Sequence, residues 1–254
     1  HKSEVALGIK TTGGPAPIAD PDLVEKAAKM LGHANQPMIF VGGGAYDACE
    51  EVKILAETLQ APVVSYQNGR GVLDERHYLA HTNTAGAILW NKCDVAISIG
   101  CRLQAERMTW GMDNAIKIIH IDIDPTELTR VMKPDVGIVA DASSATKQII
   151  NSLTKYNNKR VSREEEMLNL KGQADTIMEK KAGPQMAWLR AIRDALPENG
   201  LFVDEFTQVG YVSRVGFPVY HPRSMITPGY QGTLGYGYAT ALGVKVAHPD
   251  KPVV

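Results

Sequence analysis

Short apolar runs alternating with amphipathic stretches limit this chain to a narrow set of folds. Parallel strands need long crossovers, and those crossovers are usually helices. Residues 37–45 read as a buried strand running into a glycine turn, followed by a helix through Val52, Leu55, Ala56 and Leu59. Residues 62–65 form the next short apolar strand. A helix over residues 85–90, a strand over 94–100, an acid-ended strand over 115–123 and another over 136–140 continue the pattern. A helix through Ala145, Ile149, Ile150 and Leu153 closes it, and Asp22 is a candidate cap for a helix ahead of the first strand, carrying Leu23, Ala27, Met30 and Leu31. The reading is an α/β fold, a doubly wound parallel sheet of five strands over residues 15–155. The right-handed crossover rule places all strand C-terminal ends on one edge.

Residues 1–14 read as a linker rich in glycine. Residues 156–183 read as a solvated connector with helical tendency, carrying the Glu164-Glu165-Glu166 run. After Gly183-Pro184 the pattern restarts with a helix over 186–196 and a strand over 200–204, the opening of a second α/β domain over 184–254. Residues 251–254 read as the first residues of a buried strand that lacks a partner, so the chain is expected to stop inside this domain.

With 44% hydrophobic and 22% charged residues in 254, the composition is that of a globular protein with a substantial core. A net charge of −1 advertises no polyanion-binding surface, which argues against nucleic acid as a partner. The apolar runs are too short to span a bilayer, so no membrane partner is expected. Cys49, Cys93 and Cys101 lack metal-type spacing, which favours reduced structural thiols and a cytoplasmic setting, and no metal ligands are assigned.

Several residues lie where this sheet type holds ligands. Gly42, Gly43 and Gly44 follow a strand and precede a helix, a context that lets backbone approach a phosphate or ribose; a plain tight turn explains them equally. Arg102 opens a loop after a strand, placed for a phosphate, an adenine face or a surface ion pair. Asp122 and Asp124 lie where a ribose would be held, although a helix cap before Pro125 also accounts for Asp124. Asp141 reads as a cap or a ligand residue.

The order of these segments resembles the central domain of thiamine diphosphate-dependent enzymes, and within them the acetolactate synthase branch. The resemblance rests on Phe40-Val-Gly-Gly-Gly44, Gly69-Arg-Gly71 with His77, Gly100-Cys-Arg102, His120-Ile-Asp-Ile-Asp-Pro125 and Val139-Ala-Asp141. It implies a Rossmann-like central domain that binds FAD, ADP or no ligand, through Gly42, Gly43, Gly44, Arg102, Asp122 and Asp141. Further along, Gln231-Gly-Thr-Leu-Gly-Tyr-Gly237 resembles the family's turn at the start of the diphosphate-binding domain. By that resemblance the Gly232 carbonyl accepts from the cofactor's exocyclic amine, and Leu234 props the two cofactor rings into a V. Thr233 and Gly235 complete the turn against the cofactor. A glycine-rich helix entry with Leu234 in the core is the alternative. Thr207 and Gln208 match the segment whose hydroxyl and amide hold the diphosphate. Glu205, awkward beside a diphosphate, reads as a cap or an ion-pair partner.

The resemblance implies thiamine diphosphate and Mg²⁺ as cofactors, a 2-oxo acid substrate, and a homodimer or homotetramer. The reaction would be carboligation or decarboxylation. Two departures loosen assignment within the branch: Ala239 stands where a Pro is usual, and Val209 where a His is common. The family's activating glutamate would precede His1 and its metal-binding Gly-Asp-Gly would follow Val254, so the 254-residue chain alone is expected to be inactive. The competing reading is a nucleotide- or FAD-binding α/β module without catalysis.

Overall fold

The computed structural model describes residues 14–104, 106–111, 115–229 and 231–254. The linker expected over residues 1–14 lies outside them except for Gly14.

The first domain is built on a parallel six-stranded sheet. Its strands are β1 Pro37–Val41, β2 Val63–Ser65, β3 Ala80–Thr82, β4 Val95–Ile99, β5 Lys117–Asp122 and β6 Val136–Val139, in the order β3-β2-β1-β4-β5-β6. The order reverses between β1 and β4, which pair from Pro37↔Val95 to Val41↔Ile99. Every residue of β1 and β4 is buried, so both faces of the sheet's centre are covered, as all-parallel sheets require. Helices α1 Pro21–His33, α2 Cys49–Leu59 and, after the single-turn α4 Glu127–Arg130, α5 Ala142–Leu153 pack as one group. Helix α3 Asn83–Trp90 packs instead against the long α6 Glu164–Ala195. Phe40 and Trp90 meet edge to face at 5.5 Å within this core, and the Trp90 indole N–H donates to the Gly111 carbonyl at 2.6 Å.

Five sequence expectations change. The sheet has a sixth strand, β3, which pairs with β2 from Val63↔Ala80 to Ser65↔Thr82. Its three residues include His81 and Thr82, and neither length nor pattern marks it as a strand. The cap of α1 is Asp20, which accepts from the Asp22 N–H at 2.9 Å, with Pro21 in the first helical position where its missing N–H costs nothing. Asp124 accepts from the N–H and hydroxyl of Thr126, both at 2.8 Å, and so shapes the turn into α4 from outside the cap position.

The fourth change concerns the connector. Residues 164–195 form one helix with a break at Ala182 (φ −149°, ψ 36°), two residues before Pro184. Met167, Leu170 and Ala174 are buried in the first core, and Met186 and Leu189 in the second. The helix therefore links two cores, its apolar positions hidden among charged neighbours in the sequence.

In the second domain β7 Phe202–Val203 pairs in parallel with β8 Met225–Ile226. Helix α7 Gln208–Gly216 lies between them in sequence, and α8 Tyr236–Ala247 follows. Phe202 stacks on Phe217 at 4.2 Å in the small core. Residues 251–254 do have a strand partner: Val253 bridges Leu201 in parallel, and Val203 N–H donates to the Val254 carbonyl at 2.7 Å.

His81 is 3% exposed on β3, and neither ring nitrogen has a hydrogen-bond partner among the described residues. Burial, reinforced by the positive charges of Lys171 and Arg163, drives its pKa from 6.5 down to about 3. The unfolded chain then takes up this proton before the folded one, so the associated stability is complete above 6.5 and falls as pH drops toward 3. His81→Gln is expected to flatten the loss of stability between neutral pH and about 4, read from urea unfolding at each pH.

Candidate functional site

At the point where the strand order reverses, the turns after β1 and β4 press together. A side chain on Gly42 would lie 2.3 Å from the Gly100 carbonyl oxygen, and one on Gly44 2.8 Å from the Gly100 Cα. Gly100 itself has φ +56°, and a Cβ there would sit 2.5 Å from Gly44. Gly42 and Gly44 thus serve the turn, because backbone meets backbone, whereas Gly43 meets the Asn68 side chain at 3.3 Å. Backbone bonds from Gly42 N–H to the Ile99 carbonyl and from Gly44 N–H to the Gly100 carbonyl, both 3.3 Å, close the floor.

Above that floor lies a cleft of about 600 Å³. It is lined by all the sequence-predicted residues of this domain: Gly42, Gly43, Gly44, Arg102, Asp122 and Asp141. Asp122 ends β5 and accepts from the Asp124 N–H at 3.0 Å. Asp141 caps α5 by accepting from the Ser144 N–H at 2.9 Å, so its capping role and its place in the cleft coexist. Arg102 forms a fork on the Glu127 carboxylate at 2.7 and 3.1 Å while staying 41% exposed at the cleft edge. Leu103 is fully buried with φ 50°, and this strained anchor fixes the loop that presents Arg102.

The sequence reading missed Asp47, Asn68, Glu106 and Glu127 as cleft residues. None is marked by a motif, and only the packed turns bring them together. Burial pushes the Glu106 carboxyl up, and its Oε1 has no hydrogen-bond partner among the described residues. Burial also raises Glu127, but hydrogen bonds from Arg102 and Arg130 outweigh it and hold this carboxyl below 4.5. Carboxylates thus dominate the cleft, with Arg102 the one lining cation among the described residues. Such a donor set suits the hydroxyls of a ribose, and a diphosphate would rely on Arg102 and backbone N–H groups. The Cys101 thiol, also in the lining, is raised to about 12 by burial, as is that of Cys93, so both act as packing groups.

A second cluster forms in the second domain. Thr207 caps α7 by accepting from the Gly210 N–H at 3.0 Å, and its side chain is exposed beside exposed Gln208. The Gln208 carbonyl oxygen accepts from the Gln185 amide at 2.9 Å. Glu205 reaches the other segment: its carboxylate accepts from the Phe206 N–H at 2.7 Å and from the Gly237 N–H, at the start of α8, at 2.6 Å. These backbone donors lower its pKa, and the role is that of a cap supplied from a distance. Gly232 lies against the Phe206 ring, where a Cβ would be 2.6 Å away, and Gly235 turns the chain into α8 with φ +78°. Leu234 is 81% exposed, which rules out the reading that buries it in the core, and Thr233 beside it is exposed. Behind the segment, buried Asp204 pairs with Arg214 at 2.9 Å, and the guanidinium lies over the Phe206 ring at 4.7 Å. Among the described residues no group of three or more His, Cys, Asp or Glu is arranged to hold a metal ion.

A doubly wound domain with a switch-point cleft, joined to a domain opening with a capped helix and a glycine turn, defines a two-domain cofactor-binding architecture. Two family descriptions match it in the same order: "Thiamine pyrophosphate enzyme, central domain" over residues 24–149, and "Thiamine pyrophosphate enzyme, C-terminal TPP binding domain" over 207–254. The chain belongs to the thiamine pyrophosphate enzyme family. It is 31% identical over 282 residues to a probable acetolactate synthase large subunit of Methanococcus aeolicus, covering 100% of this chain and 47% of the relative. A probable acetolactate synthase large subunit of Methanocaldococcus jannaschii is 31% identical over 261 residues, with 94% and 44% covered. The acetolactate synthase isozyme 1 large subunit of Escherichia coli is 26% identical over 249 residues, again with 94% and 44% covered. The chain spans about half the length of these curated relatives. A nucleotide-binding module alone does not account for the match over 207–254.

Because the folded Glu127 pKa is depressed, its stabilising effect is complete above 4.5 and is lost as pH falls through the lowered folded value. Glu127→Gln is expected to remove part of the acid destabilisation of the first domain below about pH 4.5, at some loss of neutral-pH stability, measured by thermal unfolding across that range.

Proposed function

We propose that this chain supplies the middle domain and the opening of the cofactor domain in a thiamine diphosphate-dependent enzyme that acts on 2-oxo acids, by acetolactate synthase-like carboligation or by decarboxylation. The observation that carries this reading is the contact between the two cofactor segments, through Glu205 to Gly237 and Phe206 to Gly232. When bound, thiamine diphosphate supplies a nucleophilic carbon and an electron sink. The chain's own residues hold it. Thr207 and Gln208 donate to diphosphate oxygens at the positive N-terminal end of α7. The Gly232 carbonyl would accept from the cofactor's exocyclic amine and exposed Leu234 would pack against its rings, with Thr233 and Gly235 shaping the turn. Glu205 holds that turn against the diphosphate segment and points its charge at backbone N–H groups.

In the same reading Mg²⁺ would accompany the diphosphate, and no described residue of this chain is assigned to hold it. The switch-point cleft takes FAD or ADP, with Asp122 and Asp141 on hydroxyls and Arg102 near phosphate, and the enzyme works as a homodimer or homotetramer in the cytoplasm. Thermal unfolding with millimolar thiamine diphosphate and Mg²⁺ is expected to shift upward. The shift should disappear in a Thr207→Val, Gln208→Ala double variant, and its absence in the unsubstituted chain would overturn the reading. The absorption spectrum of the purified chain separates flavin, which is yellow, from adenine nucleotide in the first cleft.

A further inference from the structure

The Arg70 guanidinium, 2% exposed, belongs to the first domain and has most of its partners in the second. It grips Glu75 through Nε and through Nη2, the latter at 2.7 Å. The remaining donors reach three backbone carbonyls at the end of α7: Arg214 at 2.6 Å, Ser213 at 3.3 Å and Phe217 at 2.5 Å. Glu75 in turn accepts from the Val219 N–H at 3.0 Å. The last carbonyls of a helix run short of intrahelical partners and carry the negative end of its dipole; of these three, Ser213's also accepts from the Phe217 N–H at 3.1 Å. A planar cation with five fixed donors satisfies them in a way a lysine cannot. Neighbouring residues hold the same seam: the Thr227 hydroxyl donates to Asn68 at 2.9 Å, and a side chain on Gly71, which has φ +82°, would collide with the His221 carbonyl.

Helix α7 has nine residues, about 13 Å at 1.5 Å per residue, and its other end is Thr207-Gln208. We infer that Arg70 is a positioning residue for the cofactor segment: by clamping the C-terminal end of α7 to the first domain, it sets where Thr207 and Gln208 stand. The inference rests on the proposed function for the cofactor but on geometry alone for the clamp. Within α7 a shift at one end carries to the other, since the helix moves as a rod with Gly210 and Ser213 buried.

The test compares Arg70→Met with an Arg70→Met, Glu75→Met double variant by residue-resolved amide hydrogen exchange and by titration with thiamine diphosphate and Mg²⁺. Removing both charges leaves no unpaired buried carboxylate, so the double variant is expected to recover global stability lost by the single one. It should not recover protection of α7, where exchange at residues 209–216 is expected to be tenfold or more faster, nor cofactor affinity, expected to fall by a similar factor, on the order of ten. Restoration of both by the double variant would overturn the inference, leaving Arg70 only a stability role. If the unsubstituted chain binds no cofactor, the proposed function fails while the exchange measurement still decides the clamp.

Discussion

The approach of two backbone turns at the centre of the sheet is the constraint on which the first domain's site depends. β1 and β4 are adjacent and parallel, yet the chain runs on from them to β2 and β5 on opposite sides of the pair, so a crevice opens above the two touching turns. That crevice forms only if Gly42, Gly44 and Gly100 let the turns touch without side chains. The lining residues legible in the sequence are then delivered by strand ends: Arg102 after β4, Asp122 at the end of β5 and Asp141 after β6. The charge pattern follows from packing. Glu127 is tolerable in a buried position because two guanidiniums meet it, and Glu106 because its carboxyl is driven toward the neutral form.

The second domain is small, and its order is borrowed. Its core contains few buried side chains, among them Met186, Leu189, Phe202 and Phe217, and α6 contributes to both cores. Arg70, Glu75 and Asn68 add polar connections across the seam, where buried charges are satisfied by helix-end carbonyls and by each other. Glu205 repeats this logic inside the domain by capping α8 from the neighbouring segment. Polar groups that a sequence leaves as isolated letters thus hold the segment over 204–208 and the turn over 232–237 against one another.

Much of the fold was legible because strands buried on both faces read as continuous apolar runs. Met38 to Val41 and Val95 to Ile99 are of that kind, and the glycine, arginine and aspartate positions after them fell into one cleft as the doubly wound rule requires. What was missed lacks a local signal. β3 is three residues long and carries a histidine, and the buried stripe of α6 is diluted by charge. Asp47 and Glu127 enter the cleft only through the turns that carry them. Asp20 took the capping role expected of Asp22 because Pro21 starts the helix two residues earlier than expected.

By itself the sequence determined the α/β alternation, the strand ends that carry polar residues and the family to which they belong, because hydrophobic period and glycine placement are written residue by residue. Only the tertiary structure decided that Gly42 and Gly44 serve backbone packing, that Arg102 is held by Glu127, that Leu234 stands in solvent and that Arg70 spans two domains. Those outcomes depend on pairs of residues far apart in the chain. Their energies come from burial and from hydrogen-bond geometry that exists only once both partners have been placed.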